Sequence, residues 1–237
     1  MTGPAPPAPL VRLDRVTKVF DGSGSPTTAV RDVSLEVRPG EMVLLMGPSG
    51  SGKTTLLTLA AGLARPTSGR VTLFGRAVEE CSARELQALR AERIGFVFQT
   101  FLLIDALTVA ENVEIVLRFG RTRRAGRAAK ARALLGELGV GHLAGRFPAG
   151  LSQGEKQRAA IARALANDAE LIIADEPTGS LETRQAVGIV ELLHEQARKR
   201  RAAVIVASHD LRLKDYADRT LYIRDGALAR FDKETPN

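Results

Sequence analysis

The chain has 237 residues, with 34 lysines and arginines against 27 aspartates and glutamates, a formal charge of +7. With 44% hydrophobic and 26% charged residues it has the composition of a folded globular protein, which excludes a disordered chain, a collagen or a disulfide scaffold. The single Cys81 cannot form an internal disulfide, and no apolar run approaches the ~18 residues of a membrane-spanning helix, so a soluble protein of a reducing compartment is expected.

The first ten residues hold four prolines, and residues 1–9 are expected to form a disordered arm. They contain neither a basic stretch nor a long apolar one, so no secretory signal is expected. Alternating patterns predict strands over 10–20 and 29–37, separated by a Gly/Ser/Pro cluster. Pro39-Gly40 turns the chain into an apolar strand, 41–46, followed at once by the loop Gly47-Pro48-Ser49-Gly50-Ser51-Gly52-Lys53-Thr54-Thr55 and by leucines at helical spacing. Further strands are predicted at 69–75, 94–98, 170–175, 203–208 and 219–225, and helices at 82–92, 108–139, 182–199 and from the cap Ser152 to about Ala166. Alternation of strands and helices implies an α/β fold with a parallel sheet, and the strandless stretch of about 101–166 is expected to be a helical subdomain inserted into it. One domain is expected over 10–232, followed by a tail, 233–237.

The positive charge is local. Residues 118–132 hold seven basic residues and no acid, and Arg198, Lys199, Arg200 and Arg201 form a second cluster; without these eleven, 23 basic residues face 27 acidic ones. Such runs are read as solvated helix faces, or as contacts to nucleic acid or an anionic membrane.

Residues 47–54 match G-x-x-x-x-G-K-[ST] between a strand and a helix. Glycines let the backbone wrap phosphates, Lys53 can reach the β- and γ-phosphates of a nucleotide, and Thr54 can offer its hydroxyl to Mg²⁺. The apolar strand Leu171-Ile172-Ile173-Ala174 delivers Asp175, a candidate Mg²⁺ ligand through water, and then Glu176, the candidate general base toward an attacking water.

Leu151-Ser152-Gln153-Gly154-Glu155, Gln99, the run Asp175-Glu176-Pro177-Thr178-Gly179 and His209-Asp210, in this order around the glycine loop, resemble the motifs of ATP-binding cassette (ABC) transporter ATPases. The likeness spans essentially residues 10–230. Phe96 to Gln99 and Ala174 to Gly179 look most like the lipoprotein-releasing, macrolide-exporting and cell-division members. The resemblance implies a P-loop NTPase core with an N-terminal antiparallel β subdomain and an inserted helical subdomain. It implies that Phe20 stacks on adenine, although by sequence it reads equally as a core strand residue. It implies that Gln99 touches Mg²⁺ or the lytic water, that His209 contacts the γ-phosphate, and that Ser152 and Gly154 bind the γ-phosphate of ATP held by a second copy. ATP, Mg²⁺, a head-to-tail homodimer, separate transmembrane permease subunits and a cytoplasmic position on the inner face of the cell membrane follow from it, with no nucleic acid expected.

The chain departs from the family pattern at Gln153, where a glycine is usual, at Glu155, where Gln is usual, and at Glu182, where Asp is usual. Glu155 near phosphate is expected to point away or to pair with a neighbour such as Arg158. Phe101 to Ile104 read as part of a docking surface or as subdomain core. An importer ATPase shares every motif, and a soluble cassette acting on nucleic acid or ribosomes is a third class; cargo is not encoded in these motifs.

Overall fold

The computed structural model of the chain describes residues 7–21 and 25–229; the expected tail, most of the expected arm and residues 230–232 lie outside the described residues. In chain order the elements are β1 (Val11–Phe20), β2 (Thr27–Val37), β3 (Met42–Met46), α1 (Lys53–Ala60), β4 (Ser68–Leu73), β5 (Arg76–Ala77), α2 (Ala83–Arg93) and β6 (Ile94–Phe98). They continue with α3 (Val109–Leu117), α4 (Arg124–Glu137), α5 (Gln153–Leu165), β7 (Leu171–Asp175), α6 (Thr183–Arg200), β8 (Ala203–Ala207), β9 (Arg219–Arg224) and β10 (Ala227–Ala229). The short strands β5 and β10 and the 3₁₀ turns at 78–80, 141–143, 148–150 and 211–216 are additions to the predicted set.

Two sheets result. An antiparallel one runs β2-β1-β4-β5, and a central one runs β10-β9-β3-β8-β7-β6, parallel except for the β9–β10 pair. Strands β3 and β8, and β7 as far as Asp175, are apolar because both faces are covered, and their period of two divides the core. Met42, Leu44, Met46, Ile172, Ala174, Val204 and Val206 face one cluster, shared with α3 to α6. Val43, Leu45, Leu171, Ile173, Ala203, Ile205 and Ala207 face the other, shared with α1 and the antiparallel sheet. A one-residue slip of any of these strands would exchange the two cores.

Among the described residues no strand lies between Phe98 and Leu171. The helix predicted over 108–139 is two helices, α3 and α4, because the chain turns at 118–123. At that turn a Cβ on Gly120 would stand 2.1 Å from Asn167 Oδ1, so only glycine permits the approach. The Asn167 amide donates to the carbonyls of Ala91 (2.8 Å) and Val116 (2.9 Å), tying α2 and α3 to the end of α5. Three helices start on reciprocal caps, Ser82 with Glu85, Thr108 with Glu111 and Ser152 with Glu155.

Candidate nucleotide site

Beyond β3 the glycine loop is pressed between neighbouring backbones. A Cβ on Gly47 would stand 2.2 Å from the Ile223 carbonyl oxygen, and one on Gly52, whose φ is 105°, 2.2 Å from that of Ala29. Gly226 N–H donates to Ser51 O at 3.0 Å, so the β9–β10 turn braces the loop. Gly52 caps α1 without a side-chain bond and the first turn holds no acid, leaving the positive helix end open to an anion. Lys53 is only 8% exposed and its Nζ donates to Gly47 O (2.8 Å) and Pro48 O (2.9 Å), which leaves one of its three donors. Ser51 Oγ is buried without a hydrogen-bond partner among the described residues. Pro48, Ser49 and Gly50 form the exposed crest, and Thr55 is half-buried.

The parallel strands end on one edge. Leu45 is in register with Ala207, Ala207 with Asp175, and Asp175 with Phe98. Thr54 Oγ1 donates to Asp175 Oδ2 at 2.9 Å, joining the loop to the end of β7. Burial, aided by the charge of Glu176, holds the Asp175 carboxyl above its usual pKa, against the Thr54 bond and the Lys53 charge. Glu176 turns into the left-handed region at φ 47°, with its N–H on Ala207 O at 2.9 Å. Its Oε2 accepts from Ser208 Oγ at 3.3 Å and lies 3.0 Å from His209 Nδ1. Gln99 follows β6 on the same edge; Ser180 Oγ donates to its carbonyl at 3.1 Å, and its amide packs so closely on Gly179 that a Cβ there would be 2.9 Å from Nε2. Lys53, Thr54, Gln99, Asp175, Glu176 and His209 therefore share one edge.

Three sequence candidates lie on other elements, β1 and the start of α5. Phe20 ends β1 and is 46% exposed, so it is not a core residue; the Lys18 ammonium lies 5.1 Å from its ring centroid. Ser152 and Gly154 open α5, and the Ser152 hydroxyl bonds within its own cap, to Glu155. Glu155 does not pair with Arg158, whose guanidinium donates to Leu138 O instead. It closes the cap: Oε2 accepts from Ser152 N (2.8 Å) and Ser152 Oγ (2.8 Å), and these bonds hold its carboxyl below the ordinary range. Gly154 packs against Gln185, where a Cβ would meet Cδ at 3.4 Å. Glu182 is the N-cap of α6 but makes no capping bond, which fits a side chain one methylene longer than the preferred Asp. The structure gives no reason for Gln153, which is exposed.

Two contributors were missed from sequence. Gln157 is fully buried, and its Nε2 donates to Pro177 O at 2.7 Å, tying α5 to the turn after Glu176. The available signal was a Gln on the apolar face of α5, in line with Ile161 and Ala164. Arg163 donates to the carbonyls of Phe101 and Leu102, two residues with φ of 60° and 50°, and burial pushes its guanidinium pKa down. Beside them opens a groove of about 520 Å³, lined by Leu63, Phe98, Leu102, Ile104, Ile115 and Phe119 among others.

A glycine loop between a buried parallel strand and a helix, with a carboxylate delivered to it by the end of β7, defines a P-loop nucleotide hydrolase. Residues 30–179 match the family described as ABC transporter. The lipoprotein-releasing system ATP-binding protein LolD 2 of Caulobacter vibrioides is 40% identical over 220 residues, 93% of this chain and 96% of its own length. The macrolide export ATP-binding/permease protein MacB of Agrobacterium fabrum is 38% identical over 93% of this chain, which spans only 34% of that relative. A solved dimeric structure of the ATP-binding cassette MJ0796, in a post-hydrolysis state with ADP and Pi, superposes with a TM-score of 0.85 at 37% identity, covering 93% of this chain and 97% of that one. The chain belongs to the ABC transporter family and is one of its ATPase cassettes.

Proposed function

We propose that residues 47–55 hold the phosphates of ATP and that the edge formed by Gln99, Asp175, Glu176 and His209 hydrolyses it. The observation that carries this reading is the 2.9 Å contact of Thr54 with Asp175, 121 positions apart, over a loop whose lysine is buried. The spare donor of Lys53, the unpartnered hydroxyl of Ser51 and the open N-terminus of α1 all suit phosphate oxygens. Thr54 and Asp175 supply the hard oxygen donors that suit Mg²⁺, an ion held mainly by substrate phosphates and water. When bound, Mg²⁺ supplies charge neutralisation on the phosphates. In this reading Glu176 acts as base toward water, which the contacts of Ser208 and His209 with its carboxylate support, while Phe20 stacks on adenine and Gln99 and His209 reach the γ-phosphate side. Loss of Mg²⁺-dependent ATP binding in Lys53→Ala and of turnover in Asp175→Asn is expected; unchanged turnover in both variants would refute the site.

Ser152 and Gly154 act on the ATP of a second copy, in a head-to-tail dimer. The dimeric state of the MJ0796 cassette supports this. Among the described residues no helix is long and apolar enough to cross a membrane, and the likeness covers nearly the whole lipoprotein-releasing ATPase relative. The partner is a permease on the inner face of the cell membrane, a reading supported by the transporter relatives, and the apolar groove beside Phe98 receives it. Leu102 and Ile104, 55% and 44% exposed, form its lip. Leu102→Asp with Ile104→Asp is expected to abolish co-purification of the membrane subunit while ATP binding persists; intact co-purification would remove the groove from the interface.

A further inference from the structure

The two basic clusters differ in what the fold does with them. At the end of α6, Lys199 and Arg200 bind Glu137 (2.6 and 2.8 Å), Arg198 reaches Asp218 (3.5 Å), and all three complement the helix dipole. In residues 118–132, Arg121 pairs with Glu92 (2.9 Å), Lys130 with Asp168 (2.6 Å), and Arg127 donates to Thr122 O (3.1 Å). Arg118, Arg123 and Arg124 are exposed, and their side chains have no hydrogen-bond or ion-pair partner among the described residues. Arg123 and Arg124 occupy the N-cap and first position of α4, where the dipole disfavours cations, and no acid in the first turn offsets them. Helix stability therefore does not account for Arg123 and Arg124, whereas Arg118, the C-cap of α3, also suits the dipole of that helix. Between Arg118 and Arg121 stands Phe119, 65% exposed, which also lines the groove assigned above to the permease.

We propose that the turn joining α3 to α4 lies on the anionic phospholipid surface of the membrane beside the docked permease, with Arg118, Arg123 and Arg124 facing the headgroups. The orientation rests on the docking reading, through Phe119, which the turn and the groove share. The charge complementarity does not, because the run 118–132 contains no acid. One basic corner next to an exposed aromatic suits a planar anionic surface with an apolar interior. A nucleic acid, by contrast, would need a basic stripe following its backbone.

The test is vesicle flotation of the purified full chain without any permease. The wild type is expected to float with phosphatidylglycerol-containing vesicles and not with pure phosphatidylcholine, and to be released by salt. Each arginine near such a surface contributes about a factor of five, so the triple variant Arg118→Gln, Arg123→Gln, Arg124→Gln is expected to bind roughly a hundredfold more weakly. A control with the same charge change, Arg31→Gln, Arg84→Gln, Arg201→Gln, is expected to bind nearly as well as the wild type. Equal losses in both triples, or no loss in the first, overturn the lipid contact. So does a first triple that floats like the wild type but, in a separate co-purification, loses the membrane subunit, since the arginines then meet an acidic protein face. Because the assay contains no permease, the docking reading stands or falls separately, on co-purification with the Leu102 and Ile104 variants.

Discussion

Arg163 offers the sharpest quantitative test of how this chain holds the lip of its apolar groove. Phe101 and Leu102 sit in the left-handed region, which costs a non-glycine residue roughly 1–2 kcal/mol, or about 2–4 kcal/mol for the pair. Against this, Arg163 donates to both carbonyls, and hydrogen bonds involving a charged group contribute about 1.5–3 kcal/mol each, or about 3–6 kcal/mol together. At mid-range the bonds exceed the strain by only about 1.5 kcal/mol, so the lip is ordered by a narrow margin that depends on one side chain. Arg163→Met keeps the buried stem and removes both bonds. The lip then relaxes while the core stays packed, and the loss of global stability is limited to about 1–2 kcal/mol, or roughly 2–8 °C in unfolding midpoint for a chain of this size. Hydrogen exchange reads the local event, because Phe101 N–H donates to Phe98 O (3.3 Å) and Leu102 N–H to Thr100 O (2.6 Å). Both amides are expected to exchange at least tenfold faster in the variant. Unchanged exchange at these amides, or a global loss well above 4 kcal/mol, would refute the reasoning.

Glu176→Gln keeps an oxygen for Ser208 but no base, so turnover is expected to fall by about 10²–10⁴ with ATP binding retained, and a wild-type rate would remove the assignment. Asp175, its pKa raised by burial, loses its charge at higher pH than an ordinary aspartate, so Mg²⁺-dependent nucleotide affinity is expected to weaken on acidification before other carboxylates titrate. An affinity flat from neutrality to pH ~4 would contradict that. The same shift means that the ionised carboxylate destabilises the fold above its folded pKa and that this penalty is relieved as pH falls through it. Asp175→Asn is accordingly expected to melt higher than wild type at neutral pH, with the gain shrinking in acid. Ser152→Ala removes the α5 cap, at a cost of about 1 kcal/mol, or roughly 2–4 °C at neutral pH. Because Glu155 is held below the ordinary carboxylate range, the carboxylate's share of that contribution is present above the unfolded pKa and is lost as pH falls through the folded one, so the two midpoints draw closer in acid, while the bond from Glu155 N–H to Ser152 Oγ keeps them apart.

What was legible in the sequence was chemistry confined to short spans. The loop 47–55 and the strands at 42–46, 171–175 and 203–207 could be read because glycine spacing and full apolar runs are local properties. The pairing of Glu155 was also local: Ser82, Thr108 and Ser152 each precede a Glu by three residues, a capping signature that competes with a phosphate reading of the same residues. The break at 118–123 was readable only as a weakness, since Gly120, Gly126 and Gly136 all weaken a helix over 108–139 and what singles out Gly120 is Asn167, 47 positions away. Nor was the role of Arg163, which acts on carbonyls 61 and 62 positions earlier. Phe20 and Gln99 fall between these cases, because a strand end is visible in sequence whereas its exposure depends on the neighbouring sheet.

The engagement of Lys53 with its own loop carries a consequence for how this chain can evolve. Its ammonium is almost wholly removed from water, and its hydrogen-bond partners are two carbonyls rather than a carboxylate. Desolvation is thus borne when the chain folds and not when an anion arrives, which spares the binding step but weakens the ligand-free protein. Nucleotide then returns that stability by mass action, so the cassette is most robust when it is loaded. Selection for thermal robustness alone would replace this lysine with an apolar residue; keeping it ties the fold's durability to the supply of its own substrate.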